Sequence, residues 1–158
     1  MVGACMLEAV ARRLFSWDFA ITQDTRPIAV IDMSWFRERA EVRVGNQVFE
    51  VRRDSVVHGT FSLHGGDEIL ATAQKESALA RIFSVDVAGR LLELKAAAFW
   101  RRDFELVDHG ALIGRVSSTS WLGRGARIDF PDDLSIPLQV FLFWLVVVVW
   151  RRAAAAAS

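Results

Sequence analysis

The sequence predicts a mainly β fold: a closed antiparallel β-barrel of about a dozen strands wrapped around a buried hydrophobic C-terminal α-helix. Polar and apolar residues alternate from about residue 14 to residue 130, with turn residues between the alternating segments. The segment from Ile136 to Trp150 is apolar at every position except Gln139. Hydrophobic residues make up 53% of the 158 positions, which is enough for the core of one domain.

Hairpins recur through the alternating region. Short turns separate strand-like segments at Gly45-Asn46, Gly65-Gly66, Ala88-Gly89 and His109-Gly110. A motif of Phe, any residue and an aliphatic residue repeats at Phe61, Phe83 and Phe104, with spacings of 22 and 21 residues. Such a repeat is typical of a β-meander. Because an open sheet of about ten strands would leave two exposed edges, we expect the meander to close into a barrel.

The apolar C-terminal segment is expected to fill that barrel. A helix that is apolar on every face is covered by protein or by lipid, and a wide barrel has an interior that something must fill. We therefore predict a central helix over residues 134–152, with Asp132 and Asp133 as its caps and Arg151 and Arg152 in its last turn. The helix positions expected in the core are Val140, Phe141, Phe143, Trp144, Val147 and Val148.

The two ends of the chain are expected to lie outside the barrel. Residues 1–13 form an N-terminal segment, residues 14–152 the barrel domain, and residues 153–158 a disordered Ala-rich tail. The alternative for the apolar segment is a tail anchor that spans a bilayer. Its fifteen residues would rise about 22 Å as a helix, less than a hydrocarbon core of about 30 Å. Extension into Leu134 or the alanine tail would close that gap.

The chain resembles a known superfamily of barrel proteins. The repeated hairpins, the stretch Phe104–Gly114 with its turn at Gly110, and Ala126–Pro131 followed by an apolar helix are similar to the tubby C-terminal-like superfamily. The nearest members are the LURP-one-related and phospholipid-scramblase-like proteins, and the resemblance covers residues 14–152. It implies a barrel around a hydrophobic helix and an association with membrane lipid such as phosphoinositide. The acidic calcium loop and cysteine cluster of scramblases are missing, so calcium-dependent lipid scrambling is not expected.

Composition and motifs argue against several classes of function. The 19 basic and 19 acidic residues give a net charge of zero, so we expect no nucleic-acid partner. The sequence lacks the nucleophile-elbow, zincin and Walker motifs, so we expect no enzyme and no cofactor. Three His residues and one Cys lack the spacing of a metal site. The single Cys5 also excludes an internal disulfide and fits a reducing, cytoplasmic compartment.

Arginine carries the strongest functional indication. The chain has 17 Arg against 2 Lys, and four Arg-Arg pairs. Because neighbouring strand residues face opposite sides, we expect such pairs at strand ends on a barrel rim. Arginine suits bidentate contacts with phosphate, so a rim cluster predicts binding of a lipid headgroup or of the anionic inner face of a membrane. The candidate residues are Arg52, Arg53, Arg101, Arg102, Arg124 and Arg127.

Two other hypotheses stay open at this point. If the arginines are only solvated, the barrel is a scaffold that binds an unknown protein partner through an exposed face. If the C-terminal segment leaves the barrel, the chain is a tail-anchored membrane protein. Binding to vesicles separates these hypotheses, because headgroup recognition is sensitive to salt and insertion of a helix is not.

Overall fold

The computed structural model describes residues 6–13, 17–34, 38–55, 59–77, 81–98, 101–119 and 125–158. Within these ranges the chain forms twelve antiparallel strands closed into one barrel, with one α-helix inside it. This confirms the fold class expected from the sequence. The elements are β1 Leu7–Ala11, β2 Phe19–Gln23, β3 Arg26–Ser34, β4 Arg39–Val44, β5 Gln47–Ser55, β6 Thr60–Gly65, β7 Glu68–Lys75, β8 Ile82–Val87, β9 Arg90–Ala96, β10 Phe104–Asp108, β11 Ala111–Ser118, β12 Ala126–Asp129 and α1 Ile136–Ala156.

The strands follow one another around the barrel in chain order. Each pairs with its neighbours in sequence, and β1 closes the barrel by pairing with β12, where Leu7 lies opposite Ile128. Five two-residue turns lie at one end, here called the turn end. Four of them contain a glycine with positive φ, among them Gly45 at 58° and Gly110 at 81°. The opposite end is called the exit end, because α1 leaves the barrel there and Arg152 reaches Glu38 between β3 and β4.

The barrel interior is a layer of apolar side chains around α1. The phenylalanines of the repeated motif point inward and are fully buried, and every helix residue in Leu138–Trp150 is buried. Phe61 meets Trp144 at a ring-centroid distance of 5.7 Å, and Phe19 meets Phe143 at 5.1 Å, both edge-on. The helix residues expected in the core are at most 1% exposed: Val140, Phe141, Phe143, Trp144, Val147 and Val148.

The helix begins with a serine cap and not with the acidic residues expected there. The Ser135 hydroxyl accepts a hydrogen bond from the Leu138 amide at 3.4 Å. Asp132 and Asp133 precede this cap, and Asp133 accepts a 2.8 Å hydrogen bond from Arg90 instead. The expectation for the two aspartates is wrong because a hydroxyl directly before the first helical residue is the group that reaches the first-turn amides.

Both ends of the chain differ from the boundaries expected from the sequence. Residues 7–11 of the expected N-terminal segment form β1, which pairs with β2 as well as with β12. The helix continues through Ala156, into the tail expected to be disordered, so Arg151 and Arg152 lie before its last turn. Alanine favours continuation of a helix, and one of the two partners of β1, the strand β12, lies more than a hundred residues away in the chain.

The helix α1 has the length and the hydropathy to cross a membrane. It spans 21 residues, and the mean hydropathy of its apolar window is 1.6. In this structure, however, 72% of that window is buried inside the barrel. Protein side chains therefore cover the apolar faces that lipid would otherwise have to cover.

A charge placed on the buried helix is expected to unfold the whole barrel. Val147 is fully buried, so Val147→Asp would bury an unpaired carboxylate at a cost of about 3–5 kcal/mol. Circular dichroism during heating should show loss of the cooperative unfolding transition. The matched control is Ala154→Asp on the exposed end of the same helix, which should melt like the parent. Equal melting of all three proteins would show that the helix is not the core.

A second prediction concerns the contact between β11 and the segment that leads to the helix. A Cβ atom at Gly114 would lie 2.6 Å from Phe130 Cδ1 and 2.7 Å from the Asp129 carbonyl oxygen. Because Phe130 is buried, Gly114→Ala should lower the free energy of unfolding by about 1–3 kcal/mol in urea denaturation. At Gly45 there is open space and Asn tolerates the positive φ, so Gly45→Asn should lower the free energy of unfolding much less. Similar losses in both variants would contradict the steric explanation.

Candidate functional site

Charge is segregated along the barrel axis. Each end comprises the described residues in its connections, within two strand residues of a connection or at the start of β1, together with the helix arginine pair at the exit end. The exit end then holds eleven Arg and Lys residues against six Asp and Glu, and the turn end holds three against nine. The exit end therefore carries a net charge of +5 and the turn end −6, although the whole chain is neutral.

The charged groups of the two ends are as follows. The exit end has the cations Arg12, Arg13, Arg39, Lys75, Arg81, Lys95, Arg101, Arg102, Arg127, Arg151 and Arg152 and the acids Asp18, Glu38, Asp54, Glu76, Asp103 and Glu105. The turn end has the acids Glu8, Asp24, Asp67, Glu68, Asp86, Asp108, Asp129, Asp132 and Asp133 and the cations Arg26, Arg43 and Arg90.

Some cations near the exit end face the interior of the barrel, among them Arg53, which is the third residue from the end of β5 and so is not among the eleven counted above. In the strand register Arg53 lies opposite Phe61 and Lys75 opposite Phe83, and both phenylalanines point inward. Cross-strand neighbours share a face of the sheet, so Arg53 and Lys75 lie on the inner side, just above the apolar core. The Arg81 guanidinium lies 5.5 Å from the Phe104 ring centroid. We call Arg53, Lys75, Arg81 and the helix residue Arg152 the exit collar.

Glu38 lies among the cations of the exit collar. Its two carboxylate oxygens accept hydrogen bonds from Arg152 at 2.6 and 3.0 Å, and one of them also contacts Arg53 at 3.4 Å. Its carbonyl oxygen accepts a hydrogen bond from the Arg53 amide at 3.1 Å. The φ angle of Glu38 is 45°, in the left-handed region that non-glycine residues rarely adopt. The strand β5 and the helix α1 thus both hold this carboxylate in place.

The exit collar concentrates positive charge in a partly buried position. Burial lowers the pKa of Lys75, and the nearby charges of Arg152, Arg53 and Arg81 lower it further, with only Glu38 acting in the other direction. Burial also lowers the pKa of Arg81. The field at this position favours an anion over a further cation.

Of the arginines expected to bind phosphate, those that the structure describes lie near the exit end but do not form one cluster. Arg52 and Arg53 lie inside β5 and not beyond its end, and they face opposite sides. Arg52 is on the outer wall, where it donates to Asp54 at 3.1 Å, whereas Arg53 belongs to the exit collar.

The remaining candidates are also divided. The Arg101 side chain is exposed, and the guanidinium of Arg102 lies 4.5 Å from the ring centroid of Trp150. Arg127 points outward from β12. Arg124 lies outside the described residues.

Sequence reasoning missed Lys75, Arg81 and Glu38. None of them belongs to an Arg-Arg pair, the pattern that marks four of the six candidates. A signal was present, because Lys75 continues the inward positions Ala71 and Ala73 of β7. An inward-facing lysine at the end of a strand is a stronger indication of a built charge site than a pair of neighbouring arginines.

A groove lies on the outer wall of the barrel. The groove, of about 510 Å³, is lined by side chains of β3 to β6, among them Glu50 and His64. Arg39 donates twice to Glu50 at 2.8 Å, and this hydrogen bonding lowers the pKa of the Glu50 carboxyl. His64 lies 2.7 Å from the Ser62 hydroxyl, but Ser62 is only 1% exposed. A substrate could not reach that hydroxyl, so the Ser-His pair does not form an accessible nucleophile.

Comparisons with known proteins do not identify a relative of this chain. Neither a protein-family model, nor a curated protein, nor a solved structure matches the chain. The resemblance to the tubby C-terminal-like superfamily therefore stays a prediction, and the function is argued from the described residues alone.

The exit collar is expected to lower the stability of the folded chain. Because the pKa of Lys75 is lowered below its ordinary 10.5, its charged form is less stable in the folded than in the unfolded chain. That cost is fully present below the folded pKa and disappears as the pH rises through it towards 10.5. Lys75→Gln should therefore raise the Tm at pH 7 by about 1–3 °C, with a smaller difference near pH 10.

The control for this measurement is Lys95→Gln. Lys95 lies on the outer wall at the same end, 3.7 Å from Glu93 and 40% exposed, so its replacement should leave the Tm almost unchanged. Calorimetric melting of both variants between pH 7 and about pH 10 checks the prediction. A lower Tm for Lys75→Gln at pH 7 would contradict the idea of crowded cations.

Proposed function

We propose that this protein is a non-enzymatic barrel module that docks its exit end on an anionic membrane surface. The observation that carries the proposal is the segregation of charge, with +5 at the exit end and −6 at the turn end among the described residues. A phospholipid surface with acidic headgroups attracts the exit end and repels the turn end. The chain therefore approaches such a surface in one orientation.

The length of the barrel allows each end to act separately. The helix segment Ile136–Trp150 rises about 22 Å, whereas the Debye length at physiological ionic strength is about 8 Å. The acidic turn end is thus more than two Debye lengths from a surface that touches the exit end. Its charge is screened there, and the neutral chain binds as a cation.

The tip of the helix favours a membrane over a nucleic acid as the anionic partner. Ala153–Ala156 are exposed and uncharged, and they continue α1 by about 6 Å beyond Arg152. Small apolar side chains at the centre of a cationic end are suited to the headgroup layer of a bilayer. A polynucleotide backbone gains nothing from them, because its affinity comes from contacts between phosphate and cations.

The proposal predicts that a charge reversal at the exit end weakens binding to vesicles. Each cation near an anionic surface contributes about 1 kcal/mol, so Arg101→Glu should weaken binding roughly 10- to 30-fold. The matched control is Arg26→Glu, an equal change of charge at an exposed arginine of the turn end, which should bind like the parent. Flotation with phosphatidylcholine vesicles, with and without phosphatidylserine, at low and high salt measures both.

The outcomes separate the hypotheses. Flotation only on anionic vesicles, lost at high salt and impaired by Arg101→Glu alone, supports the proposal. Salt-resistant flotation on both kinds of vesicle means that α1 leaves the barrel and inserts as a tail anchor, which overturns it. Absence of flotation overturns the proposal in favour of a protein-binding scaffold. Equal impairment by the two substitutions contradicts docking through the exit end.

A further inference from the structure

We propose that the exit collar is a binding site for a phosphate monoester, with the Glu38 carboxylate as a built-in competitor for the ligand. The proposal deepens the membrane docking proposed above, on which it rests only for the source of the phosphate. The site itself is argued from the geometry of the exit collar.

The exit collar brings cations from two parts of the fold to one point. Arg53 comes from the inner side of β5, and Arg152 comes from α1, with its guanidinium 5.8 Å from the Phe61 ring centroid. Both arginines contact the same carboxylate, that of Glu38. Lys75 lies on the inner side of β7, where the charges of Arg53, Arg81 and Arg152 all act on it.

The Glu38 carboxylate marks the position that an anion takes in the collar. Arg152 donates to both of its oxygens, at 2.6 and 3.0 Å, which is the two-pronged geometry that guanidinium groups use for carboxylate and phosphate alike. Glu38 holds this position with a left-handed φ of 45°, a conformation that is unfavourable for a glutamate.

The number of charges matches a phosphate monoester better than a carboxylate. Arg53 and Arg152 both contact the Glu38 carboxylate, and the charges of Arg53, Arg81 and Arg152 all act on Lys75. A phosphate monoester carries a charge of about −1.5 to −2 near pH 7 and has three acceptor oxygens. It would contact Arg53, Arg152 and Lys75 together, whereas a carboxylate with two oxygens satisfies fewer donors. Binding would also relieve the repulsion among the cations.

The test uses the full chain and two probes that differ only in their source. Glycerol 3-phosphate is a soluble phosphate monoester, and dihexanoyl phosphatidic acid presents the same group on a short lipid. Isothermal titration at low ionic strength and pH 7.5 should show binding of a phosphate monoester to the parent. Lys75→Gln should weaken binding about ten-fold or more, because a charged hydrogen bond is lost. Lys95→Gln, at the same end but on the outer wall, should leave binding unchanged.

Glu38→Gln should change the affinity for the phosphate monoester in the opposite direction. Removing the competing charge while keeping the shape should strengthen binding about five-fold or more, provided that thermal melting shows the variant to be folded. If Glu38→Gln does not fold, the comparison of Lys75→Gln with Lys95→Gln still decides the matter. Absence of binding for both probes, equal loss in the two lysine variants, or weaker binding by a folded Glu38→Gln variant would each overturn the proposal.

The two probes and the variant Arg101→Glu separate this proposal from the function on which it rests. Equal affinity for both probes supports a site that recognises the phosphate group alone. Binding of the short lipid without binding of glycerol 3-phosphate supports a lipid headgroup site. If vesicle docking fails while phosphate binds, only the membrane function falls, and the ligand is a soluble phosphate ester. If vesicles bind and neither probe does, the exit end is a general cationic surface and the collar site falls.

Discussion

The enclosure of an apolar helix by a closed barrel is the interaction on which the rest of the structure depends. Thirteen consecutive residues of α1 are buried, on every face of the helix. A barrel of twelve strands is too wide for its own side chains to fill, so its inner wall needs an apolar partner. The helix equally needs the wall, because exposure of all its faces to water would be unfavourable. Barrel and helix therefore form one cooperative unit.

This packing also decides where polar groups can lie. The interior is apolar between the two ends, so charges are confined to the outer wall and to the ends of the barrel. Inward positions beyond the apolar core are occupied at the exit end by Arg53 and Lys75, which lie opposite the buried Phe61 and Phe83. The exit collar is thus a consequence of where the helix and the apolar layer end. Net charge gives no sign of this arrangement, because the acidic turn end balances it.

Much of the fold was predictable because it depends on local patterns. Alternation and turn residues at Gly45 and Ala88-Gly89 were sufficient to place the hairpins, and an apolar segment such as Ile136–Trp150 has few places to go in a neutral, folded chain. The strand β1 escaped prediction although it pairs with β2, the next strand along the chain, and its other partner, β12, lies at the other end of the chain. The helix cap went to Ser135, although the more conspicuous aspartates stand two and three residues earlier.

The sequence by itself determined the class of the fold, the burial of the C-terminal helix and the closeness of several arginines to strand ends, because periodicity, hydropathy and turn chemistry are properties of short segments. The tertiary structure decided which cations meet. Arg53 and Arg152 are 99 positions apart and converge on Glu38, a residue that belongs to neither of their elements. Whether a strand residue faces the opening or the outer wall depends on register and on the ends of the core. Both are set by the whole barrel and not by the neighbours of a residue in the chain.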